Sequence, residues 1–436
     1  MYMKCVVFGI GKEYEKDKEY IDDEVVGYID NYKVGSKMPD GKIVRPVSDL
    51  SYLEFDRIII SSFDYRNDML QQIEALDKTL LYKTIFLQEY DKRNRFCEMT
   101  KGSINIAEPD DKKLSLRAYY IVIPWQSVSG GPELLHQFAY NLKKILPDKD
   151  VIIAYYSKNK KNEFNKFDYR NVIPTAYRKY ITDCKVIDFN EIVDNEENIV
   201  VLPEVLVDLA FEFKKIRIHL WWLSVDNFFN SLEINNVPRL FSRVDLHLYQ
   251  SEYARCFLDM IGIPQTMTYD LDDYINEFYL DGVDFKKDDI IVYNPKKGYN
   301  FTKALLSDLN MFTFVPIENM NSLQVKELLS RSKVYIDFGN HPGKDRLPRE
   351  AALMNCCVIC GKRGSANNDI DVPIDYRYKI DMSLDGWWET AKMAITDCIK
   401  NYDENINRFS DYRRKILNEE RDFINKVRKL AELIVG

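Results

Sequence analysis

The sequence predicts an α/β protein built from three Rossmann-like domains, each a doubly wound parallel sheet. Short apolar runs alternate with helical patterns along the whole chain, the arrangement that builds parallel sheets. The plainest strand, loop, helix, strand unit is VYIDFGNHPGKDRLPREAALMNCCVICGKRGSANNDID, from Val334 to Asp371. A length of 436 residues leaves room for about three domains.

Composition narrows the class. With 46% hydrophobic and 30% charged residues, the chain reads as soluble and globular. A net charge of −8 gives no global attraction to nucleic acid, so no nucleic-acid partner is expected. Met1 runs into a strand-like KCVVFGI instead of a signal peptide, and no apolar stretch approaches the ~20 residues of a membrane span. A cytoplasmic protein is expected. The only cysteine cluster, Cys356, Cys357 and Cys360, lies in a strand whose adjacent side chains face opposite ways, which suits a reduced core and not a metal. Four dispersed histidines suggest no metal site.

The first domain is expected over residues 1–96. Strand-like runs occur at Cys5–Gly9, Val25–Ile29, Arg57–Ser61 and Leu80–Phe86. The first turn, FGIGKEY, carries two of the three glycines of a dinucleotide fingerprint, Gly9 and Gly11, with Tyr14 at the third, where a small residue permits close helix packing. Asp30 follows where an acid could meet a ribose. The pattern resembles the nucleotide-binding-like N-terminal domains of bacterial sugar-modifying enzymes, and either a ligand or a docking role suits it. Residues 97–115 are polar and unperiodic, the expected linker.

The second domain, residues 116–285, opens with RAYYIVIPWQSVSGGPELLHQFAYNLKKI. A strand runs into a Ser/Gly loop and a helix whose Leu134, Leu135, Phe138, Leu142 and Ile145 keep helical spacing. Gly130 and Gly131 precede the apolar stripe, where residues lacking Cβ bring N–H groups close to an anion. Further strands end in Glu204 and, after Trp221 and Trp222, in Ser224, Asp226 and Asn227. Acids and amides beside aromatics suit sugars, while the tryptophans equally suit the core. Ser251 is expected to cap a helix.

The third domain, residues 286–400, begins with strand Ile290–Tyr293 and the turn NPKKG, with Lys297 and Gly298 before a helix. In the unit at Val334–Asp371, Pro348 is expected to open a helix, and Lys344, Arg346 and Glu350 cluster at its start, an anion site by position. The final stretch, residues 401–436, carries a helical apolar stripe through Ile416, Phe423, Val427 and Leu430.

These features together resemble the retaining, family 4-like (group 1) glycosyltransferases of the GT-B fold, whose donor segment carries a Glu followed by small residues and a strand, matched here by Glu350, Ala351, Ala352 and Cys357–Ile359. The resemblance covers about three quarters of the chain. It implies that Glu350 binds the donor ribose hydroxyls and that Lys297 and Gly298 hold the diphosphate. Lys344 or Arg346 would supply the second cation, because the family's upstream Arg has no counterpart. Gly130 and Gly131 would face the phosphates, Glu204 and Asp226 would act at the sugar or acceptor, and the C-terminal helix would cross back to the acceptor domain. Pro342 stands where retaining families usually carry another Glu. The implied function is hexosyl transfer from a nucleoside-diphosphate sugar to a glycan or lipid-linked acceptor in bacterial surface polysaccharide synthesis, with retention, without metal or other cofactor. The basic run Lys158–Lys166 could touch an anionic membrane. A non-catalytic nucleotide-sugar-binding scaffold is the alternative; a nicotinamide enzyme is a third reading, against which Tyr14 stands.

Overall fold

A computed structural model describes residues 3–104, 106, 115–125, 127–157, 173–229, 231, 236–280 and 286–435. The basic run Lys158–Lys166, much of the expected linker and residues 281–285 at the end of the expected second domain lie outside them.

Three all-parallel sheets account for the strands. The first contains β1 (Lys4–Phe8), β2 (Glu24–Ile29), β3 (Val44–Arg45), β4 (Arg57–Ile60) and β5 (Thr84–Phe86), in the order β3-β2-β1-β4-β5. The second contains β6 (Ala118–Pro124), β7 (Asp150–Tyr156), β8 (Lys185–Asp188), β9 (Asn198–Pro203), β10 (Arg217–Trp222), β11 (Leu246–Tyr249) and β12 (Thr268–Asp270), ordered β12-β11-β10-β9-β6-β7-β8. The third contains β13 (Asp288–Tyr293), β14 (Thr313–Pro316), β15 (Ser332–Asp337), β16 (Cys357–Gly361) and β17 (Lys379–Ile380), ordered β14-β13-β15-β16-β17. Each order reverses direction once, leaving a crevice at the carboxyl ends of the two strands that flank the reversal. In the third sheet those strands are β13 and β15.

The helices that matter for the site are α1 (Gly130–Ile145), α2 (Glu252–Met260), α3 (Tyr299–Asp308), α4 (Arg346–Leu353), α5 (Trp387–Lys400) and α6 (Ser410–Val435). Ser251 caps α2, its hydroxyl accepting from the Ala254 N–H at 3.2 Å. Helix α4 begins two residues before Pro348, which sits in the first turn, where its missing N–H costs nothing. The expected strand Leu80–Phe86 is a strand only over its last three residues. Asp77 accepts from the Thr79 N–H at 2.8 Å and starts a 3-10 turn through Lys83 instead.

The chain forms two compact units. One comprises residues 1–99, 281–341 and 350–412; the other comprises 100–280, 342–349 and 413–436. In the second unit, Phe423, Val427, Leu430 and Ala431 of α6 enter the core beside Phe138, Leu142, Tyr119 and Trp221, which is why the apolar stripe exists. Trp221 and Trp222 are both fully buried, their indole N–H groups donating to the Leu271 carbonyl at 3.1 Å and to His247 at 3.1 Å. Both are core residues. Cys356, Cys357 and Cys360 are buried free thiols, and burial pushes the Cys356 thiol up to about 11. No described helix is long and apolar enough to cross a membrane.

Candidate functional site

The nine residues singled out in the sequence divide between the units. Lys297, Gly298 and Glu350 belong to the first; Gly130, Gly131, Glu204, Asp226, Lys344 and Arg346 belong to the second.

In the first unit, the turn after β13 and the loop after β15 meet at the reversal of the third sheet. Gly298 adopts φ +56°, a left-handed turn before α3, and a Cβ there would lie 2.5 Å from the Gly339 nitrogen. A Cβ on Gly339 would lie 2.4 Å from the Lys297 Cβ. The two glycines are therefore mutual requirements: backbone packs on backbone, and the start of α3 is held against the end of β15. Asp337 closes the turn, accepting from the Gly339 N–H at 3.0 Å and the Tyr335 hydroxyl at 3.0 Å. The loop after β16 joins them. A Cβ on Gly364 would lie 2.0 Å from the His341 carbonyl oxygen, which accepts from the Ser365 N–H at 2.8 Å. Glu350 sits on α4, 9% exposed.

Two residues unmarked by the sequence reading stand at this junction. Glu89 ends the 3-10 turn Leu87–Glu89 after β5. Its carboxylate accepts from the Gly298 N–H at 3.1 Å and from Arg363 at 3.0 Å. Arg363 lies just past β16 and donates also to the Glu89 carbonyl at 2.7 Å. The segment before and within β5 of the first sheet grips α3 further along: the Asn300 amide donates to the Thr84 carbonyl, and Asp308 accepts from the Tyr82 hydroxyl at 2.9 Å and pairs with Lys78. Beside Arg363 a cavity of about 710 Å³ is lined by Tyr82, Lys83, Phe301, Lys362, Trp387 and Trp388, among others.

The accessory turn is occupied by its own side chains. Asp30 accepts from the N–H groups of Ile10, Tyr32 and Lys33 at 3.1, 2.8 and 3.1 Å, so the acid placed for a ribose shapes the loop. Tyr14, in the third fingerprint position, is buried against Tyr28 with ring centroids 6.0 Å apart.

In the second unit, residues 342–349 lie along the carboxyl edge of the second sheet. The Pro342 carbonyl accepts from the Val225 N–H at 2.8 Å, and a Cβ on Gly343 would fall 2.0 Å from the Leu223 oxygen. Here the placement of several expected site residues must be corrected. Arg346 is held by Glu133 at 2.5 Å and Gln137 at 3.3 Å, and its stem would be 3.1 Å from a Cβ on Gly130; Gly130 makes room for Arg346. Gly131 faces Leu223, 3.5 Å from a Cβ there. Lys344 is buried and pairs with Glu419 at 2.8 Å. Burial favours its neutral form, but Glu419, Asp272 and Asp273 outweigh that and raise its pKa. Arg349 is 1% exposed and donates to Asp273 at 2.6 Å and Glu419 at 2.8 Å. Glu204, expected to face a cleft, is 2% exposed and accepts from the Leu223 N–H at 2.9 Å; burial raises its pKa to about 8. Asp226 is also interior, accepting from the Tyr253 hydroxyl at 2.9 Å.

Comparisons with known proteins bear on the fold. Residues 1–79 match the family described as C2185-like, N-terminal. No curated protein sequence matches the chain. A glycosyltransferase from Rickettsia africae superimposes with a TM-score of 0.50 at 14% identity, covering 74% of this chain and 99% of its own. The Anabaena protein HepE, solved with UDP and glucose, gives 0.47 at 11% identity over 72% of this chain and 99% of its own. An E. coli trehalose-6-phosphate protein bound with UDP-2-fluoro glucose gives 0.47 at 10% identity, with the same coverages. The chain thus has three doubly wound parallel-sheet domains, the last two being those of the GT-B fold.

Proposed function

We propose that this chain is a glycosyltransferase that moves a sugar from a nucleoside-diphosphate donor to a glycan or lipid-linked acceptor in bacterial surface polysaccharide synthesis. The observation that supports it most is the junction of Lys297, Gly298 and Gly339 at the reversal point of the third sheet, in a chain whose last two domains have the GT-B fold. Cations at that edge would stabilise the negative charge that grows on a departing nucleoside diphosphate, with Lys297 as the first. Glu350, on α4 after the loop that follows β15, would accept from the ribose hydroxyls. Glu204 and Asp226, hydrogen-bonded inside the acceptor domain, would act by fixing the ends of β9 and β10 beneath the acceptor. Transfer would retain the anomeric configuration, need no metal, and take place in the cytoplasm at the inner face of the membrane.

The test is to incubate the full chain with UDP-, GDP-, ADP- and dTDP-sugars and glycan or lipid-linked acceptors, with and without chelator, following nucleotide release and the anomer formed. Absence of both binding and release across the panel refutes the reading. Loss of turnover restored only by added metal refutes the metal-free part. A scaffold that binds nucleotide sugars without turnover is the second reading, favoured by Pro342 at the position of the retaining families' other Glu; tight binding with no release would select it.

A further inference from the structure

The donor-domain groups Gly298 N–H and Arg363 converge on one anion, and that anion belongs to the protein. The two carboxylate oxygens of Glu89 are divided between them, at 3.1 Å and 3.0 Å. A carboxylate presents the same two-oxygen edge to a guanidinium as a phosphate does. Arg363 also lines the 710 Å³ cavity with Phe301, Lys362 and Trp387, so the guanidinium is open to small molecules on that side. We propose that Arg363 and the Gly298 amide form the seat of a donor phosphate and that Glu89, carried by the accessory domain, is a built-in competitor for it.

Three features fit this role better than that of a structural ion pair. The Glu89 and Arg363 side chains keep 15% and 13% of their exposure, so the pair is reachable by solvent and by a competing anion. Arg363 holds the Glu89 backbone carbonyl as well, at 2.7 Å; if the carboxylate swings out, the guanidinium stays aimed at the vacated place. Glu89 is also the end of a segment anchored elsewhere, since Leu87 is fully buried and the Gln88 amide donates to the Ser61 carbonyl at 3.0 Å. Release therefore needs one side-chain rotation and leaves the fold in place. A diphosphate brings more charge to the seat than one carboxylate and can reach Lys297 in the same step. The accessory domain would then set the threshold of donor concentration at which the site fills.

This inference rests on the donor reading of Lys297 and Gly298, and the experiment separates the two. Binding of inorganic pyrophosphate and of UDP is measured by calorimetry for wild type, Glu89→Gln, Glu89→Ala, Glu89→Ala with Arg363→Ala, and Lys297→Ala, each checked for folding by thermal melting. The expected result is five- to tenfold tighter binding for both Glu89 variants, loss of that gain when Arg363 is also replaced, and weaker binding for Lys297→Ala. Equal affinity of wild type and both Glu89 variants, with Lys297→Ala still weakened, overturns the competitor role and leaves the donor site standing. No binding by any folded variant overturns both.

Discussion

Replacing Arg349 by Met should destabilise the second unit by about 3–5 kcal/mol, the cost of removing one partner from a buried ion pair. The guanidinium is 1% exposed and donates to Asp273 at 2.6 Å, Glu419 at 2.8 Å, and the carbonyls of Lys344 at 2.9 Å and Asp345 at 3.2 Å. Asp273 and Glu419 are themselves buried. Burial favours a neutral Asp273, and Arg349, Lys344 and Arg346 outweigh it and hold its pKa below the usual carboxylate value. Without Arg349 the nearest remaining cation on Asp273 is Lys344 at 3.7 Å, which already pairs with Glu419 at 2.8 Å. Met fills similar volume, so the loss isolates charge and hydrogen bonding from cavity formation. Arg349→Lys keeps the charge but not the fork, and should cost less, about 1.5–3 kcal/mol. Urea unfolding followed by fluorescence of the buried Trp221 and Trp222 measures both. A loss under 1 kcal/mol for Arg349→Met would refute the claim that this network holds residues 342–349 and α6 in place.

Three other outcomes are expected. His136, His219 and His247 are held neutral by burial, with pKa values lowered to about 4, 3 and 3. Their contribution is complete above about pH 6.5 and is lost as pH falls below it, by about 1.4 kcal/mol per unit per histidine. Glu204 runs the other way: its raised pKa contributes stability below about pH 4.5 that is lost as pH rises through about 8. Stability should therefore peak near pH 6.5, and Glu204→Gln should flatten the alkaline limb; a profile level from pH 5 to 8 would count against these burials. Lys297→Ala should weaken nucleoside diphosphate binding by about 1.5–3 kcal/mol, and unchanged calorimetric affinity in folded protein would remove it from the site. Glu350→Gln should cost about 1–3 kcal/mol for a ribonucleotide donor and less for a 2′-deoxy analogue; an equal penalty for both would take the ribose contact away.

The fold was legible because its signals are local. Apolar runs such as Cys5–Phe8 and Val334–Phe338 bury themselves, Ser251 caps the helix it precedes, and the stripe on α6 reports a core partner without naming it. The charges were not legible. Lys344, Arg346 and Glu350 share one short segment, and nothing in that segment shows that Glu133, Asp273 and Glu419, between 71 and 213 residues away from the two cations by their numbers, neutralise them. The pairing of Arg363 with Glu89 spans 274 residues and depends on packing of the first sheet on the third that no spacing encodes. Strand ends point to an edge of a sheet, as at Glu204 and Asp226, but whether an acid there faces inward is decided by packing. Burial of Glu204 follows from the Leu223 amide it serves.

That difference changes which cations the proposed donor site could draw on. A basic loop after a strand looks like an anion site because its charge is counted as free. Here residues 342–349 bring Lys344, Arg346 and Arg349, and acids from three other segments meet them: Glu133 from α1, Asp272 and Asp273 after β12, and Glu419 from α6. The charge of this loop holds the second unit together. In the first unit, Lys297 and Arg363 follow β13 and β16, and the acid that meets Arg363, Glu89, follows β5 of the first sheet with its side chain partly exposed. Lys344 and Arg349 pair with the buried acids Glu419 and Asp273 of their own core, whereas Arg363 and Arg346 pair with the partly exposed Glu89 and Glu133, and a cation paired with a sealed acid cannot be recruited without unfolding that core. On the proposed donor reading, the diphosphate contacts would fall to Lys297 and Arg363, while Lys344, paired with the buried Glu419, belongs to the scaffold.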